Sequence, residues 1–126
     1  MNRREKFQAL LILPKARNHI VLINKQLQSK PYDELLNDTY NQPIKKQSME
    51  TIVKAYLWGS RLLKKGNCLP RSIALFQHLK AAGFDVEHKF GVNKSSSKFA
   101  AHAWVEYNGS PLNESATLRK KFTVMD

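Results

Sequence analysis

Cys68 is the only cysteine of the 126-residue chain, and it lies in the stretch GNCLPRSIALF at residues 66–76. Pro70 follows two residues later, ahead of an apolar run with helical spacing. Because proline is tolerated in the first turn of a helix, this stretch predicts a helix that begins at about Cys68 or Leu69. The positive end of a helix dipole stabilises a thiolate and lowers the pKa of a cysteine. Cys68 is therefore a candidate nucleophile; the alternative is a small buried hydrophobic residue.

A nucleophilic cysteine needs a base nearby in space, and the chain offers four histidines. His78 lies on the same predicted helix, roughly 15 Å from Cys68 by the helical rise, and cannot reach it. His19 falls in a basic helix and is expected at the surface, whereas His88 shares a strand face with apolar residues and is expected to be half-buried. His102, in FAAHAWVEY, is flanked by alanines small enough to admit a helix end or a peptide. It is the best candidate base.

The hairpin signal Asn108-Gly109 leaves two registers open for the strand that follows it. In a two-residue type I′ loop, Tyr107 pairs with Ser110. In a three-residue loop with a G1 bulge, Glu106 pairs with Ser110 instead. A shift of one residue moves every side chain of a strand to the other face of the sheet.

The register decides which side chain can orient His102, since a third group usually steadies the charged imidazole. The two-residue loop places Asn113 diagonal to His102 and turns Glu114 to the opposite face. The bulged loop places Glu114 directly across from His102. Asn113 and Glu114 are therefore both open as the third group.

The elements that position these residues follow from the hydrophobic period. Spacings of three, four and seven predict helices before residue 83, and alternation with a period of two predicts strands after it. Pro14 is expected to break or kink the first helical stretch, since proline lacks an amide donor. Helices followed by an antiparallel sheet predict an α+β fold. The expected helices are 4–13, 16–28, Ser48 to about Lys64–Gly66, and Leu69 to Ala82 with Gly83 as its stop, and the expected strands are 86–92, 99–107 and about 112–115. Residues 29–47 are expected to be a linker or mobile segment with a helical turn or two around 33–36. The tail at 119–126 is expected either to be disordered or to dock a partner.

Length and charge limit the class of protein. A chain of 126 residues fits one domain with a hydrophobic core, and 21 Lys and Arg against 10 Asp and Glu give a net charge of +11 that favours acidic partners. One cysteine cannot form an internal disulfide, and the short apolar run near the N-terminus lacks a signal-peptide cleavage site, so a cytoplasmic location is expected. No apolar run is long enough to span a bilayer, and zinc-ligand spacings and phosphate-cradling glycine loops are absent from the sequence. Neither a membrane, a metal nor a cofactor is expected.

The blocks NCLPRSIALFQHLKAAGFDVEHKFGV and FAAHAWVEYNGSPLNE resemble the transglutaminase-like cysteine peptidases that remove leader peptides in lasso-peptide biosynthesis. In that family a cysteine opens a helix in a C-L-x-R type motif, a histidine lies in an HAWVE strand, and an acidic residue follows about a dozen positions later. The resemblance covers roughly residues 66–115. It implies a transglutaminase/papain-like fold in which the nucleophile helix packs on a small antiparallel sheet. The expected organisation is one domain, 1–126, with the peptidase core at 48–126 after a helical segment and linker at 1–47.

The resemblance also implies roles for individual residues. Cys68 is similar to the family nucleophile, His102 to the general base, and Glu114, twelve residues after His102, to the third member of the triad. That position is usually Asp in the family, so Glu114 is a departure and Asn113 is an alternative. The resemblance favours the bulged register. Arg71 matches the family arginine near the cysteine, where its role is either catalytic or structural.

The same resemblance implies partners. These peptidases act on a ribosomally made precursor peptide, guided by a small leader-recognition domain, and an ATP-dependent lasso cyclase then closes the ring. In some members the recognition domain is fused at the N-terminus. Residues 1–47 are too few and too helical in pattern for that domain, so a stand-alone peptidase with a separate recognition protein is expected.

Two other functions compete with leader cleavage. A transglutaminase-like acyl transferase needs the same catalytic groups and differs only in passing the acyl group to an amine instead of water. A basic, non-enzymatic nucleic-acid-binding protein is suggested by the charge of +11. Against it, the basic residues are scattered along the chain and no aromatic-rich RNA motif is present, so no nucleic-acid partner is expected.

Overall fold

The structure is a computed structural model that describes residues 2–40, 46–63, 68–93, 101–112 and 122–125 of the chain. Within these ranges helices come first and an antiparallel sheet follows, which confirms the α+β fold. The helices are α1 (Arg3–Gln26), α2 (Tyr32–Asn37), α3 (Met49–Arg61) and α4 (Cys68–Ala81), and the strands are β1 (Val86–Asn93), β2 (Ala101–Tyr107), β3 (Ser110–Pro111) and β4 (Phe122–Met125).

The strands form one sheet in the order β3-β2-β1-β4, and each neighbouring pair is antiparallel. In the β1–β2 register His88 lies opposite Val105 and Gly91 lies opposite His102. Because side chains alternate between faces, His88 and His102 point to opposite sides of the sheet. Helix α4 packs against β1 and β2, and the Ser72 hydroxyl of α4 bonds His88.

Helix α1 runs without a break through Pro14, so the prediction of two helices, 4–13 and 16–28, is wrong. An interior proline costs about 3 kcal/mol or more, because it removes a hydrogen bond and crowds the preceding turn. Pro14 lies on the exposed side of α1, where water can reach the Leu10 carbonyl that lacks its usual donor. The opposite side packs against α3 and α4, and this burial keeps the helix continuous. Its buried residues are Ala9, Ile12, Ala16, His19, Ile20 and Ile23.

Gly59 of α3 allows that helix to approach α1 closely. A β-carbon at Gly59 would lie 3.1 Å from the Arg17 amide nitrogen and 3.5 Å from the Leu13 carbonyl oxygen. Only glycine leaves room for a backbone at this distance without displacement. The two helices are therefore in backbone contact within one turn of Pro14. In the described ranges of the chain, no helix combines the length and the apolar character needed to cross a membrane.

The segment predicted as a linker is packed where the structure describes it. Helix α2 confirms the helical turns expected around 33–36, and Leu35 is fully buried. The Gln77 side-chain amide donates a 2.7 Å hydrogen bond to the Leu35 carbonyl, and the Tyr32 hydroxyl bonds His88. Residues 29–40 therefore belong to the folded body, while 41–45 lie outside the described residues.

The start of α3 and the end of α4 agree with the capping signals of the sequence. The Ser48 hydroxyl accepts the Thr51 amide at 3.2 Å, which is the predicted start of α3. Helix α3 ends at Arg61, earlier than predicted, and residues 64–67 lie outside the described part. Gly83, with φ of +94°, ends α4 as predicted, since the amides of Gly83 and Phe84 donate back to the carbonyls of Lys80 and Leu79.

A chain of buried polar side chains joins α1, α3 and α4, and it includes His19, which the sequence placed at the surface. That prediction is wrong: His19 is 5% exposed. Its Nε2–H donates to the Gln77 side-chain oxygen at 2.8 Å, and the Tyr56 hydroxyl donates to its Nδ1 at 2.7 Å. The Tyr56 oxygen in turn accepts from His78 Nδ1 at 2.9 Å. His19 is buried despite the basic composition of α1 because it falls among the residues that pack on α3 and α4, between Ala16 and Ile23.

Stability is expected to fall with acid, because burial lowers the pKa values of His19, His78 and His88 to about 4. The unfolded histidines titrate near 6.5, so between pH 6.5 and 4 the unfolded chain binds more protons and stability is lost as pH falls. The expected loss from pH 7.5 to 5 is about 2 kcal/mol for each histidine. Urea unfolding at the two pH values measures it. In His88→Gln the loss should shrink by about 2 kcal/mol; an unchanged loss would contradict the assignment.

Candidate active site

Cys68 is the first residue of α4, as the sequence predicts, and its side chain is half-buried. Pro70 occupies the first turn and is itself buried, so the start of the helix is fixed by a residue that needs no amide partner. The thiol therefore lies at the positive end of the α4 dipole, where a negative charge is stabilised.

The structure brings Cys68 and His102 together. The two side chains are joined by a hydrogen bond, and the backbone amide of Ala103 donates a second bond to the sulfur. His102 comes from β2 and Cys68 from α4, two elements that pack against each other. The predicted nucleophile and the predicted base are thus in direct contact. The other three histidines are bonded elsewhere, with His88 between Tyr32 and Ser72 as a satisfied, partly buried residue, as predicted.

The surroundings lower the pKa of the Cys68 thiol. The hydrogen bond from His102 is the largest cause, and burial opposes it. The bond from Ala103 and the positive charges of His102 and Arg71 lower the pKa further. Each of these contacts favours the thiolate, which is the nucleophilic form. Arg71 is one turn into α4, so its placement near the cysteine agrees with the sequence.

Aromatic rings hold the His102 imidazole in place. Trp104 stacks against it with ring centres 5.8 Å apart and planes 21° apart, and Phe122 lies 5.7 Å away at 31°. Trp104 is 2% exposed and its indole N–H donates a 2.8 Å hydrogen bond to the carboxylate of Glu106, which is equally buried. Because the indole is fixed by its own bond, it limits how far the imidazole can turn.

Gly91 makes room for these rings. It lies opposite His102 on β1, and a β-carbon there would lie 2.8 Å from Phe122 Cβ and 3.0 Å from Trp104 Cη2. Both distances are too short for a side chain to fit without displacement of a ring. The period of β1 does not predict this role; its signal is a glycine inside a strand, which marks a close approach.

Strand β4 lies in the segment 119–126, for which the sequence predicts a disordered or partner-docking tail. Phe122–Met125 instead pair with β1, with Val124 opposite Gly91, and carry Phe122 to the site. The signal was present in the β-branched and aromatic residues of FTVM, but a four-residue strand is too short for its period to be recognised. Residues 113–121 and 126 lie outside the described residues.

The hairpin after β2 has the two-residue register. Tyr107 pairs with Ser110, and Asn108 and Gly109 have φ of 52° and 80°, as a type I′ turn requires. The Leu112 amide continues this register with a 2.8 Å bond to the Val105 carbonyl. The bulged register that the resemblance favours is therefore wrong.

The two-residue loop is the more stable of the two because Asn and Gly both tolerate positive φ. The twist of a type I′ turn also matches that of the flanking strands. The third strand is observed at Ser110–Pro111, earlier than predicted. Asn113 and Glu114 lie outside the described residues, and so do Lys64 and Lys65 before the cysteine. Which of Asn113 and Glu114 orients His102 stays a prediction.

The cavities of the fold do not enclose this pair of residues. A cavity of about 710 Å³ beside α1 and α2 is lined by His19, Tyr40 and Lys30, and a smaller one of about 170 Å³ is lined by Arg71 and Trp104. Neither is lined by Cys68 or His102. Among the described residues no cluster of three His, Cys, Asp or Glu side chains can hold a metal ion. The Cys68 thiol and the His102 imidazole are both partly exposed.

Comparison with known families agrees with this geometry. The family described as the transglutaminase-like superfamily matches residues 13–126. The chain belongs to this superfamily. Searches of curated proteins and of solved structures found no match. Membership supports a function of the cysteine protease or acyltransferase kind, and the superfamily commonly includes cysteine proteases.

Alkylation with iodoacetamide across a pH series is expected to show an apparent Cys68 pKa below the ordinary cysteine value of about 8.5. In His102→Ala the pKa should rise, because the largest stabilising contact of the thiolate is lost. Intact mass measures the reaction, since the chain has one thiol. His78→Gln is the matched control and should behave like the native protein. Equal pH profiles for native protein and His102→Ala would contradict the pairing.

Gly91→Ala is expected to displace Phe122 or the Trp104 ring and to disturb the imidazole stacked on them. We expect thiol alkylation at pH 7 to slow several-fold and unfolding stability to fall by about 1–3 kcal/mol, the usual cost of overpacking. Thr123→Ala, an exposed neighbour on β4, is the control and should change neither. Native reactivity in a folded Gly91→Ala protein would show that the rings do not position His102.

Proposed function

We propose that this protein is a cysteine peptidase that removes the leader from a lasso-peptide precursor. The observation that carries the proposal is the hydrogen bond between Cys68 at the start of α4 and His102 on β2. A thiol activated by an adjacent imidazole is the arrangement of a nucleophilic cysteine. The leader-peptide substrate rests on the resemblance of the C-L-P-R and HAWVE segments to the lasso leader peptidases.

The reaction proceeds in two acyl steps. The Cys68 thiolate attacks the scissile carbonyl, and the imidazolium of His102 gives its proton to the departing amine, which is the new N-terminus of the core peptide. The acyl-enzyme is the leader bound as a thioester. His102 then takes a proton from a water molecule, which attacks the thioester and releases the leader as a free carboxylate with the thiol restored. The amide of Cys68, at the helix start, is our candidate for a donor to the oxyanion.

The resemblance gives Glu114 as the third member of the triad, whereas the two-residue register observed at Tyr107–Ser110 favours Asn113 if it continues past Leu112. A carboxylate that accepts the second imidazole N–H keeps the ring in one tautomer and stabilises its charged form. Asn113 is the alternative, since in the two-residue register it lies diagonal to His102. An asparagine would orient the ring without adding a negative charge. Glu114 and Asn113 therefore differ in how strongly they would stabilise the protonated imidazole of His102.

The site suits a polypeptide substrate. Cys68 and His102 are both partly exposed, as a site that meets a polypeptide must be. The chain has a net charge of +11, and Arg71 adds a cation beside the thiol. An acidic leader would be attracted to this surface. A separate leader-recognition protein and a lasso cyclase are the partners that belong to the proposal.

Acyl transfer to an amine is the second candidate, because the superfamily supports an acyltransferase as well as a protease. The same Cys68 thioester would then be opened by an amine, and the product would carry a new amide bond. Hydrolysis adds about 18 Da across the cut bond, whereas transfer joins the acyl part to the amine with loss of the original amine. The masses of the products therefore separate the two reactions.

The test is incubation of the protein with a lasso-peptide precursor and a leader-recognition protein. We expect two fragments, a free leader and a core with a free amine, by mass spectrometry. Cys68→Ala should abolish cleavage, and His102→Ala should slow it at least about 10²-fold, the usual contribution of a general acid and base. Leu62→Ser, an exposed residue after α3, is the control. A ligated product would favour the acyltransferase, and cleavage that survives Cys68→Ala would refute the proposal.

The same assay separates Glu114 from Asn113. If Glu114 is the third group, Glu114→Gln should lower the cleavage rate and Asn113→Ala should leave it near the native value. The reverse pattern would assign Asn113. Either variant acts through the imidazole, so its effect should be accompanied by a shift in the pH dependence of cleavage.

A further inference from the structure

Helix α1 is apolar on two opposite sides, and only one of them is covered. Five large apolar side chains on its outer side are 45% to 63% exposed. At 100° per residue they fall within a stripe about 120° wide, opposite the buried side of the helix. We call them the outer stripe of α1: Phe7, Leu10, Leu11, Val21 and Leu22.

The outer stripe is unusual for a surface helix. Single exposed apolar residues are common and need no explanation, but a contiguous patch of several marks an interaction site. The fold does not need these side chains for its own core, because the opposite side of α1 already packs on α3 and α4. The stripe therefore has no structural role within the described part of the chain.

Positive charge borders the stripe. Six exposed cations lie along the same helix, and the only acidic residue of α1 is Glu5, on the far side, where its carboxylate accepts a 2.9 Å hydrogen bond from the Ser48 hydroxyl. A partner that covers the stripe must therefore bring acidic groups to its edges. Lys6 and Arg17 lie along one edge of the stripe, and Arg4 and Lys15 lie along the other. Arg3 and Lys25 lie at its two ends.

The spacing of the stripe favours a helix as its partner. Phe7, Leu11 and Val21 fall on a repeat of four and three residues whose two positions between Leu11 and Val21 are Pro14 and Asn18, and a repeat of this kind is typical of a helix pair. Asn18 lies on the midline of the stripe and is exposed. In a helix pair a central Asn is tolerated and sets the register, whereas in a lipid layer it would occupy the most apolar position.

We propose that the outer stripe of α1 binds an amphipathic helix of a different protein, apolar on one side and carrying Asp or Glu along both edges. The apolar side would cover the stripe, and the acidic edges would meet the flanking cations. A second copy of this chain fits poorly, because two such helices would place like charges opposite each other. This surface is separate from the Cys68 site, so the inference does not depend on the proposed reaction.

The experiment uses synthetic helical peptides of about three heptads, with Leu and Ile at the core positions and Glu at both flanking positions. A peptide with Lys at the flanking positions and a scrambled peptide of the acidic composition are the controls. We expect the acidic helix to bind the whole protein, measured by fluorescence anisotropy, at least about tenfold more tightly than either control, and more weakly as salt rises.

Two protein variants locate the binding surface. Phe7→Ser/Leu11→Ser keeps every charge and should weaken binding of the acidic helix at least about tenfold. Leu62→Ser removes a residue that is equally exposed, at 62%, but lies outside the stripe, and should bind like the native protein. Both substitutions are at exposed positions, and circular dichroism verifies that the variants are folded.

Four results would overturn the proposal. Equal binding of the scrambled peptide would show attraction by charge alone, and equal binding by Phe7→Ser/Leu11→Ser would place the contact elsewhere. Sedimentation with phosphatidylglycerol vesicles that the double substitution abolishes, with no peptide binding, would assign the stripe to a membrane surface. A dimer in analytical ultracentrifugation that the same substitution dissociates would assign it to self-association.

Discussion

The hydrogen bond between the Cys68 thiol and the His102 imidazole is the contact on which the rest of the structure depends. It joins the first residue of a helix to the second residue of a strand, so both elements must be placed to within one residue. Pro70 defines where α4 begins, and the β1–β2 register defines the level of His102. A shift of either by one residue would turn a partner away, because side chains rotate by 100° along a helix and alternate along a strand.

The buried polar side chains between α1, α3 and α4 help to keep Cys68 aligned with His102. His19, Tyr56 and His78 connect three helices through directional bonds, in place of the interchangeable contacts of an apolar core. Directional bonds of this kind distinguish one packing of the helices from its neighbours, although His78 Nε2 is buried without a hydrogen-bond partner among the described residues. With α1 and α3 held in this way, α4 has little freedom to slide along the sheet, and the thiol stays level with β2.

Local chemistry made part of this predictable from the sequence. The start of α4, the Gly83 stop, the two long strands and the choice of His102 all follow from features within a few residues of each position. The errors concern contacts between residues far apart in the chain. Pro14 is tolerated because α3 and α4 cover the helix around it, and His19 is buried by Tyr56 and Gln77. Strand β4 exists because β1 offers it an edge, which four residues cannot indicate. Local turn geometry at Asn108 and Gly109 determines the hairpin register, and the bulged register favoured by the resemblance is wrong.

The wall of the site that Phe122 forms has a consequence for how the protein is made. Synthesis runs from Cys68 to His102 over 102 − 68 = 34 residues, which takes roughly 2 to 7 s at ordinary elongation rates. During that interval the thiol lacks its imidazole, and β4 has still to be synthesised. The nascent chain therefore carries an unactivated cysteine while neighbouring polypeptides are most exposed to it. The thiol therefore gains its imidazole and its aromatic wall only when the sheet forms, so its reactivity depends on completion of the fold.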